Sequence, residues 1–496
     1  MTTIFFKILD RKEKLILFSL FVLMLIGLLL ELLSIGVLLP LVTLISSPDF
    51  FYTLPLTDKL LSQVSDLNNE NIIIFFLILV LTIYFFKFLM LIIITFFRNN
   101  FTFKLRENIA SKLFKKYTYQ TWSFHINTNT SKIIYNITTE VSFFSNSVIL
   151  PSLVLLTEIL IIVGISIMLL IVDFAGALLI ITVLTIVAII IFFAFKKINL
   201  ELGKKRQVHE NLRIKFINET FNLIKDVKLF NKETYFFNKY FREEKISTNV
   251  SQNQATIKEI PRLVIELVAV FCFAIFIIFS LYRGYDLSSI IPILTVFAAS
   301  AFRLMPSVNR IIGSLQTIQH GLPSINVIYR EIYSNGSNHL PANHAITPLK
   351  FESNLAVEEL SFRYPKSKND ILHHLNLKIQ VGDKIGIKGQ SGAGKSTLSN
   401  IILGLLEPTE GFIKLDNRLL DRSQLRNWHK IIGYVPQNIV LLDDSIKNNI
   451  AFGIEKKEIC KTKLDQAIEL SNLNEFVKLL PDGVETIVGE RGCKHS

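Results

Sequence analysis

The first two thirds of the chain alternate between long apolar runs and polar, largely basic stretches. Six runs are long enough to cross a membrane as helices, because an apolar run of about 18 residues spans the hydrocarbon core of a bilayer. These runs cover residues 15–39, 72–97, 148–172, 174–195, 263–282 and 287–308. The pattern predicts an all-α domain of six transmembrane helices over residues 1–322. We expect no signal peptide, since the first run is too long for one.

Lysine and arginine in the connections predict the orientation of these helices. The stretches 98–132 and 196–258 are rich in Lys and Arg, whereas 46–71 carries Lys59 against four acidic residues. Because positively charged loops stay in the cytoplasm, we expect both termini to be cytoplasmic. The two long inner connections keep helical periodicity, which predicts helical projections that either contact a cytosolic domain or act as a scaffold.

The pattern changes near residue 350. Residues 323–350 carry three prolines among polar residues and predict a linker. Short strand-like runs then follow, at Leu355–Phe362, His374–Ile379 and Lys384–Lys388, separated by turns. This alternation predicts an α/β domain over residues 351–496.

Composition narrows the class of protein. Half of the 496 residues are hydrophobic, so an intrinsically disordered chain is excluded. With 21 Gly and 3 Cys, collagen-like and disulfide-rich secreted proteins are excluded as well. The net charge of +12 fits basic cytoplasmic loops, and we expect no nucleic-acid partner.

One glycine-rich segment carries recognisable chemistry. The run Lys384–Lys388 leads into GQSGAGKST, and a helical pattern follows at Thr397–Leu406. A strand, a glycine-rich turn and a helix in this order form a phosphate-binding loop, with Lys395 reaching the β- and γ-phosphates and Ser396 ligating Mg²⁺. A purely structural glycine turn is the alternative. The candidate nucleotide-binding residues are Gly389, Gln390, Ser391, Gly392, Ala393, Gly394, Lys395, Ser396 and Thr397.

Together with FRYP at 362–365, GYVPQN at 433–438 and VGERG at 488–492, this loop resembles that of the ATP-binding cassette (ABC) exporters. The resemblance extends over essentially the whole chain. It implies a six-helix transmembrane domain fused to an α/β P-loop nucleotide-binding domain, with ATP and Mg²⁺ as cofactors. It also implies that Tyr364 stacks on adenine, and that Gln437 acts catalytically by contacting Mg²⁺ and the attacking water. Such half-transporters work as homodimers.

The sequence departs from this family pattern at its end. Cassettes continue with an LSGGQ signature, a Walker B Asp–Glu pair and a switch histidine, whereas the sequence as given stops at His495 and Ser496. We therefore expect the nucleotide-binding domain to be truncated before the signature, and the chain to bind ATP without hydrolysing it alone. The competing interpretation is a truncated, hydrolysis-incompetent ATP-binding membrane protein.

Two segments resemble bacterial flippases for lipid-linked oligosaccharides, namely residues 31–44 and 303–310. Arg303 and Arg310 are seven residues apart and share a helix face, and Arg262 begins the fifth span at a similar depth. We predict that the three hold an anionic head group by charge-assisted hydrogen bonds; snorkelling to the membrane boundary is the alternative. The expected function is ATP-driven flipping or export of a lipid-linked oligosaccharide or lipid across the bacterial inner membrane. Export of lipid A, peptides or drugs remains an alternative.

Overall fold

The protein is described from a computed structural model, which covers residues 9–38, 69–172, 174–282, 287–333, 349–365 and 367–489, together with residues 7, 41, 42 and 45. The chain divides into two compact units, Met1–Ala342 and Asn343–Ser496. Each unit is described by itself below.

The described regular elements of the first unit are all helices, joined by short turns. In chain order it contains α1 (Arg11–Gly36), α2 (Asn69–Thr118), α3 (Trp122–Asn127), α4 (Thr130–Tyr135), the π-helix π1 (Asn136–Glu140), α5 (Val141–Phe144), the π-helix π2 (Ser145–Ile149), α6 (Leu150–Val172), α7 (Phe174–Asn222), α8 (Ile224–Leu229), α9 (Glu233–Tyr282) and α10 (Leu287–Tyr333).

Four described segments are long and apolar enough to cross a membrane. They are Arg11–Gly36, Glu70–Thr118, Thr130–Val172 and Ile181–Asn222, with mean hydropathy between 2.3 and 2.8. The predicted fifth and sixth spans lie within α9 and α10. At most a third of each apolar window is buried inside the protein. Such exposure is stable in a bilayer, whose acyl chains are as apolar as leucine, so this is a multi-pass membrane protein.

The helices of the first unit pack around a core that includes Leu113, Phe144, Ile149 and Ile328, each fully buried. Small residues set the closest helix approaches. A Cβ atom on Gly203 of α7 would lie 2.2 Å from the carbonyl oxygen of His320 in α10. Only glycine therefore allows α7 and α10 to pack at this distance.

The linker predicted at 323–350 begins inside a helix. Helix α10 continues to Tyr333, and Ile325 and Ile328 on its last turns are buried in the core. The burial of these side chains outweighs the helix-breaking tendency of Pro323. Residues 334–348 lie outside the described part of the chain.

The second unit combines a small antiparallel sheet with short helices. Its strands are β1 (Asn354–Phe362), β2 (Leu372–Gln380), β3 (Glu410–Leu415) and β4 (Arg418–Leu419), in the spatial order β2-β1-β3-β4. Its helices are α11 (Lys395–Ile402), α12 (Leu425–His429), α13 (Ile446–Ile450), α14 (Lys461–Leu470) and α15 (Asn474–Leu479), followed by a 3₁₀ turn at Gly483–Glu485. The first two predicted strands are thus confirmed.

The predicted strand Lys384–Lys388 is wrong for the described structure. These residues form no ladder, and Ile385 and Ile387 are 45% and 46% exposed. A strand needs a neighbour to accept its backbone hydrogen bonds, and none of the described strands pairs with this segment. The helix after the loop also ends earlier than predicted, at Ile402, because the chain turns at Gly404 with φ of 72°.

Candidate functional site

The glycine-rich loop joins the segment after β2 to the N-terminus of α11. Gly392 and Gly394 adopt φ angles of 85° and 86°, in the region that favours glycine. A Cβ atom on Gly394 would lie 2.9 Å from Cδ2 of Leu372 and 3.0 Å from Cγ2 of Ile371. Gly394 therefore allows both the left-handed turn and the close approach of the loop to β2.

Lys395 follows as the first residue of α11, and its side chain folds back over the loop. Its Nζ donates hydrogen bonds to the carbonyl oxygens of Gly389 and Gln390, at 2.7 Å each. The ammonium group thus lies over the loop, and the helix that begins at Lys395 has N–H groups in its first turn without an intrahelical partner. A positive charge and unpaired donors at a helix N-terminus favour an anion such as phosphate.

Helix α11 is held rigidly behind this loop. Leu398 and Ile401 are buried in the core of the second unit. At the other end, the indole N–H of Trp428 donates to the carbonyl oxygen of Ile402 at 2.9 Å. The imidazole Nε2 of His429 lies 2.7 Å from the carbonyl oxygen of Leu403. These contacts satisfy carbonyl groups that a helix C-terminus leaves unpaired, so the N-terminus is fixed in place.

Tyr364 lies next to the loop although it is 25 residues upstream of Gly389. Its hydroxyl oxygen is 3.4 Å from Oγ1 of Thr397, which is buried in the first turn of α11. The ring packs edge-to-face on Phe362, with ring centres 5.0 Å apart. The fold therefore brings together the aromatic residue and the glycine-rich loop, the two features that the sequence marked for nucleotide binding.

The residues proposed for Mg²⁺ are positioned differently. Ser396 is exposed beside Lys395, so its hydroxyl is accessible to a cation on the loop. Gln437 is also exposed, in a segment without regular structure, and the described residues include no hydrogen bond between its side chain and the loop. Its role as catalytic residue and metal ligand stays a prediction.

The three predicted substrate arginines have different surroundings. Arg262 forms an ion pair with Glu266 one turn along its own helix, at 3.0 Å, and is largely exposed. Nη1 of Arg310 in α10 lies 2.8 Å from Oε1 of Glu158, a buried carboxylate of α6. The side chain of Arg303 lies outside the described residues. The convergence of the three on one head group stays a prediction.

A buried polar network was missed by the sequence reasoning. Nη2 of Arg206 lies 2.9 Å from Oε1 of Glu140, and both side chains are at most 5% exposed. The Tyr135 hydroxyl donates to the same carboxylate oxygen. Arg206 lies in the basic stretch 196–258, and its partner Glu140 lies on a different helix, 66 residues away, so no local sequence signal marks the pair.

His320 lies on the other side of the same network. Its ring packs against that of Phe143, with centres 5.3 Å apart, and the Arg206 guanidinium lies 3.5 Å from the centre of the Phe143 ring. Burial, with a contribution from the charge of Arg206, lowers the pKa of His320 to about 4. The imidazole is therefore neutral at physiological pH.

Comparison with known protein families covers both units. Residues 51–302 match the family described as the ABC transporter transmembrane region, and residues 372–487 match the family described as ABC transporter. The chain is 26% identical over 308 residues to an ATP-dependent lipid A-core flippase of Cupriavidus metallidurans, a match that covers 61% of this chain and 51% of the relative. It is 31% identical over 197 residues to the flippase of the same name from Alkalilimnicola ehrlichii, covering 40% and 33%.

A solved structure shares the fold. The structure described as a bacterial Atm1-family ABC exporter with ATP bound superposes with a TM-score of 0.72 at 18% sequence identity. The match covers 95% of this chain and 81% of the exporter. The chain spans about half the length of the curated flippases it matches. The predicted fold class, a helical transmembrane domain followed by an ABC nucleotide-binding domain, is confirmed.

Proposed function

The chain belongs to the ABC transporter family, whose transmembrane-region match covers half of its residues, and we propose that it acts as a half-transporter that moves an amphipathic lipid across a bacterial inner membrane. ATP binding would close paired nucleotide-binding domains and move the membrane helices, as in other members of the family. Because the chain spans only about half the length of the relatives it matches, this activity is a proposal and is not carried over from them.

One observation supports nucleotide binding most directly, namely the geometry of the glycine-rich loop. Positive φ angles at Gly392 and Gly394 shape the turn, Lys395 places its ammonium group over the loop, and Tyr364 adjoins Thr397. These residues fit a nucleotide, with phosphates on the loop and a base beside the aromatic ring.

Each residue has a distinct task in this proposal. Lys395 would exchange its two carbonyl partners for phosphate oxygens, and the N–H groups of α11 would bind the same anion. The Ser396 hydroxyl would hold Mg²⁺, which neutralises phosphate charge when bound, while Gln437 would orient water near it. Tyr364 would fix the orientation of adenine.

The transported molecule is proposed from two supporting features. The relatives named above are lipid A-core flippases, and Arg310 provides a cationic group close to the membrane-spanning part of α10. A lipid with a phosphate-bearing head group, either lipid A-core or a lipid-linked oligosaccharide, fits such a cation. We further propose a homodimer, with both termini in the cytoplasm.

Nucleotide binding is tested by titrating the purified chain with trinitrophenyl-ATP and following its fluorescence. We expect Lys395→Ala to weaken binding at least tenfold, because it removes the charge that faces the phosphates. Lys384→Ala is the matched control, since Lys384 is an exposed lysine outside the loop. Equal affinities for the two variants would contradict the assignment of the loop.

The cargo is tested separately, in phosphatidylcholine nanodiscs that carry the chain. Radiolabelled lipid A-core should bind more tightly than diacylglycerol, which lacks a phosphate, and Arg310→Gln should reduce that preference. Arg242→Gln serves as control, because its salt bridge to Glu243 lies within α9 and its side chain is 70% exposed. A preference that survives in Arg310→Gln would remove this arginine from the cargo site.

A further inference from the structure

A cavity of about 320 Å³ lies between α6, α7 and α10, within the membrane-spanning part of the first unit. Its walls consist of aliphatic side chains, the ring of Phe192 and the hydroxyl-bearing residues Ser166 and Thr185. The volume falls in the range of about 300–1,000 Å³ that is typical of small-molecule sites. From Leu304 to Leu315 the cavity follows α10 for about 16 Å, a shape suited to an alkyl chain.

The cavity opens sideways from the three helices. Thr185 and Ile189 line it and are also exposed on the surface of α7, with Ile189 50% exposed. Both residues belong to a segment apolar enough to span a membrane. A lateral opening at that depth admits a chain from the bilayer rather than a solute from water.

A cation marks one end of the cavity. Phe192 belongs to its wall, and Nζ of Lys196, one turn further along α7, lies 5.9 Å from the centre of that ring. Lys197 follows directly, and the first acidic residue on this side of α7 is Glu201. On the facing helices, Arg310 precedes the wall residue Ile311 in α10, and its charge is neutralised by an ion pair with Glu158 of α6. The end near Phe192 therefore carries an excess of positive charge.

We propose that this cavity binds one alkyl chain of an anionic membrane phospholipid, whose phosphate pairs with Lys196. The apolar walls match the chain, the opening faces the bilayer, and the cation lies where a head group would be when the chain enters from that end. The site lies within a single protomer and does not depend on nucleotide binding.

The proposal is tested by measuring lipid retention. The full chain is purified from nanodiscs that contain equal amounts of phosphatidylglycerol and phosphatidylcholine with identical acyl chains, and the lipids that remain bound are counted by mass spectrometry. We expect about one phosphatidylglycerol per chain and a clear excess over phosphatidylcholine. Lys395→Ala should retain the same amount, so a failure of the nucleotide site does not affect this result.

Two matched pairs of variants locate the site. Ala188→Phe fills the cavity, whereas Ala194→Phe places the same ring on the exposed side of α7. Lys196→Gln removes the proposed phosphate partner, and Lys197→Gln removes its exposed neighbour. We expect the first member of each pair to retain at least tenfold less phosphatidylglycerol and the second to match the unmodified chain.

Equal retention by Ala188→Phe and Ala194→Phe would overturn the cavity assignment, and equal retention by the two lysine variants would overturn the head-group assignment. If Ala188→Phe changed the oligomeric state measured by light scattering while retention stayed constant, the cavity would be a protein interface and the proposal would be wrong. Should Ala188→Phe fail to fold, as judged by circular dichroism, the lysine pair on the helix surface still decides the proposal.

Discussion

Acidification is expected to destabilise the helical unit through His320. The imidazole is 97% buried, and neither ring nitrogen has a hydrogen-bond partner among the described residues. The groups that face it are Phe143, and Arg206 with its partner Glu140. Protonation would place a second positive charge beside Arg206 in a desolvated site, and this is why the pKa of His320 is lowered.

The size of the effect follows from linkage. His320 has a pKa of about 4 in the folded protein, against about 6.5 when unfolded. The unfolded chain therefore binds more protons between these values, and stability is fully present above pH 6.5 and is lost as the pH falls towards 4. The full contribution is about 3 kcal/mol in the free energy of unfolding, of which about 2 kcal/mol is lost between about pH 7.5 and pH 5.

The assay compares the unmodified chain with His320→Leu by reversible chemical denaturation, followed by circular dichroism at the two pH values. Leucine removes the titrating group and two unpartnered buried nitrogens, so the variant should be at least as stable at neutral pH and lose about 2 kcal/mol less on acidification. His373→Leu, at a largely exposed histidine of β2, should behave like the unmodified chain. If His320→Leu kept the full pH dependence, the burial argument would be refuted.

Two further predictions concern backbone strain and buried charge. Gly394→Ala should destabilise the second unit by about 1–2 kcal/mol, from the left-handed backbone alone, and weaken trinitrophenyl-ATP binding. Gly386→Ala, with no atom within 4 Å of the added Cβ, should change neither, and equal effects would contradict the strain argument. Glu140→Ala should lower the free energy of unfolding by about 3–5 kcal/mol, because it leaves Arg206 buried without its counter-ion. Lys228→Ala, which breaks an exposed ion pair, should cost about 1 kcal/mol or less in the same denaturation assay; a similar loss in both would refute the argument from burial.

The sequence by itself determined the class of each half of the protein. Apolar runs longer than a bilayer requires predict membrane helices whatever their packing, because each helix satisfies its own backbone hydrogen bonds. The glycine-rich loop is equally local, since a turn, a lysine and a helix start are encoded by consecutive residues from Gly389 to Thr397. The composition change near residue 350 likewise separated the two units without reference to any contact.

Tertiary structure decided what depends on distant partners. The segment Lys384–Lys388 has the local propensity of a strand, but a strand also needs a neighbouring strand to pair with. None of the described strands pairs with it, so it does not form a strand in the described structure. Pro323 lies inside α10 because the burial of Ile325 and Ile328 outweighs a local helix breaker. Pairs such as Arg310 with Glu158 join helices far apart in sequence. The periodicity of the sequence predicts which face of a helix a residue lies on, but only the fold determines which other helix packs against that face.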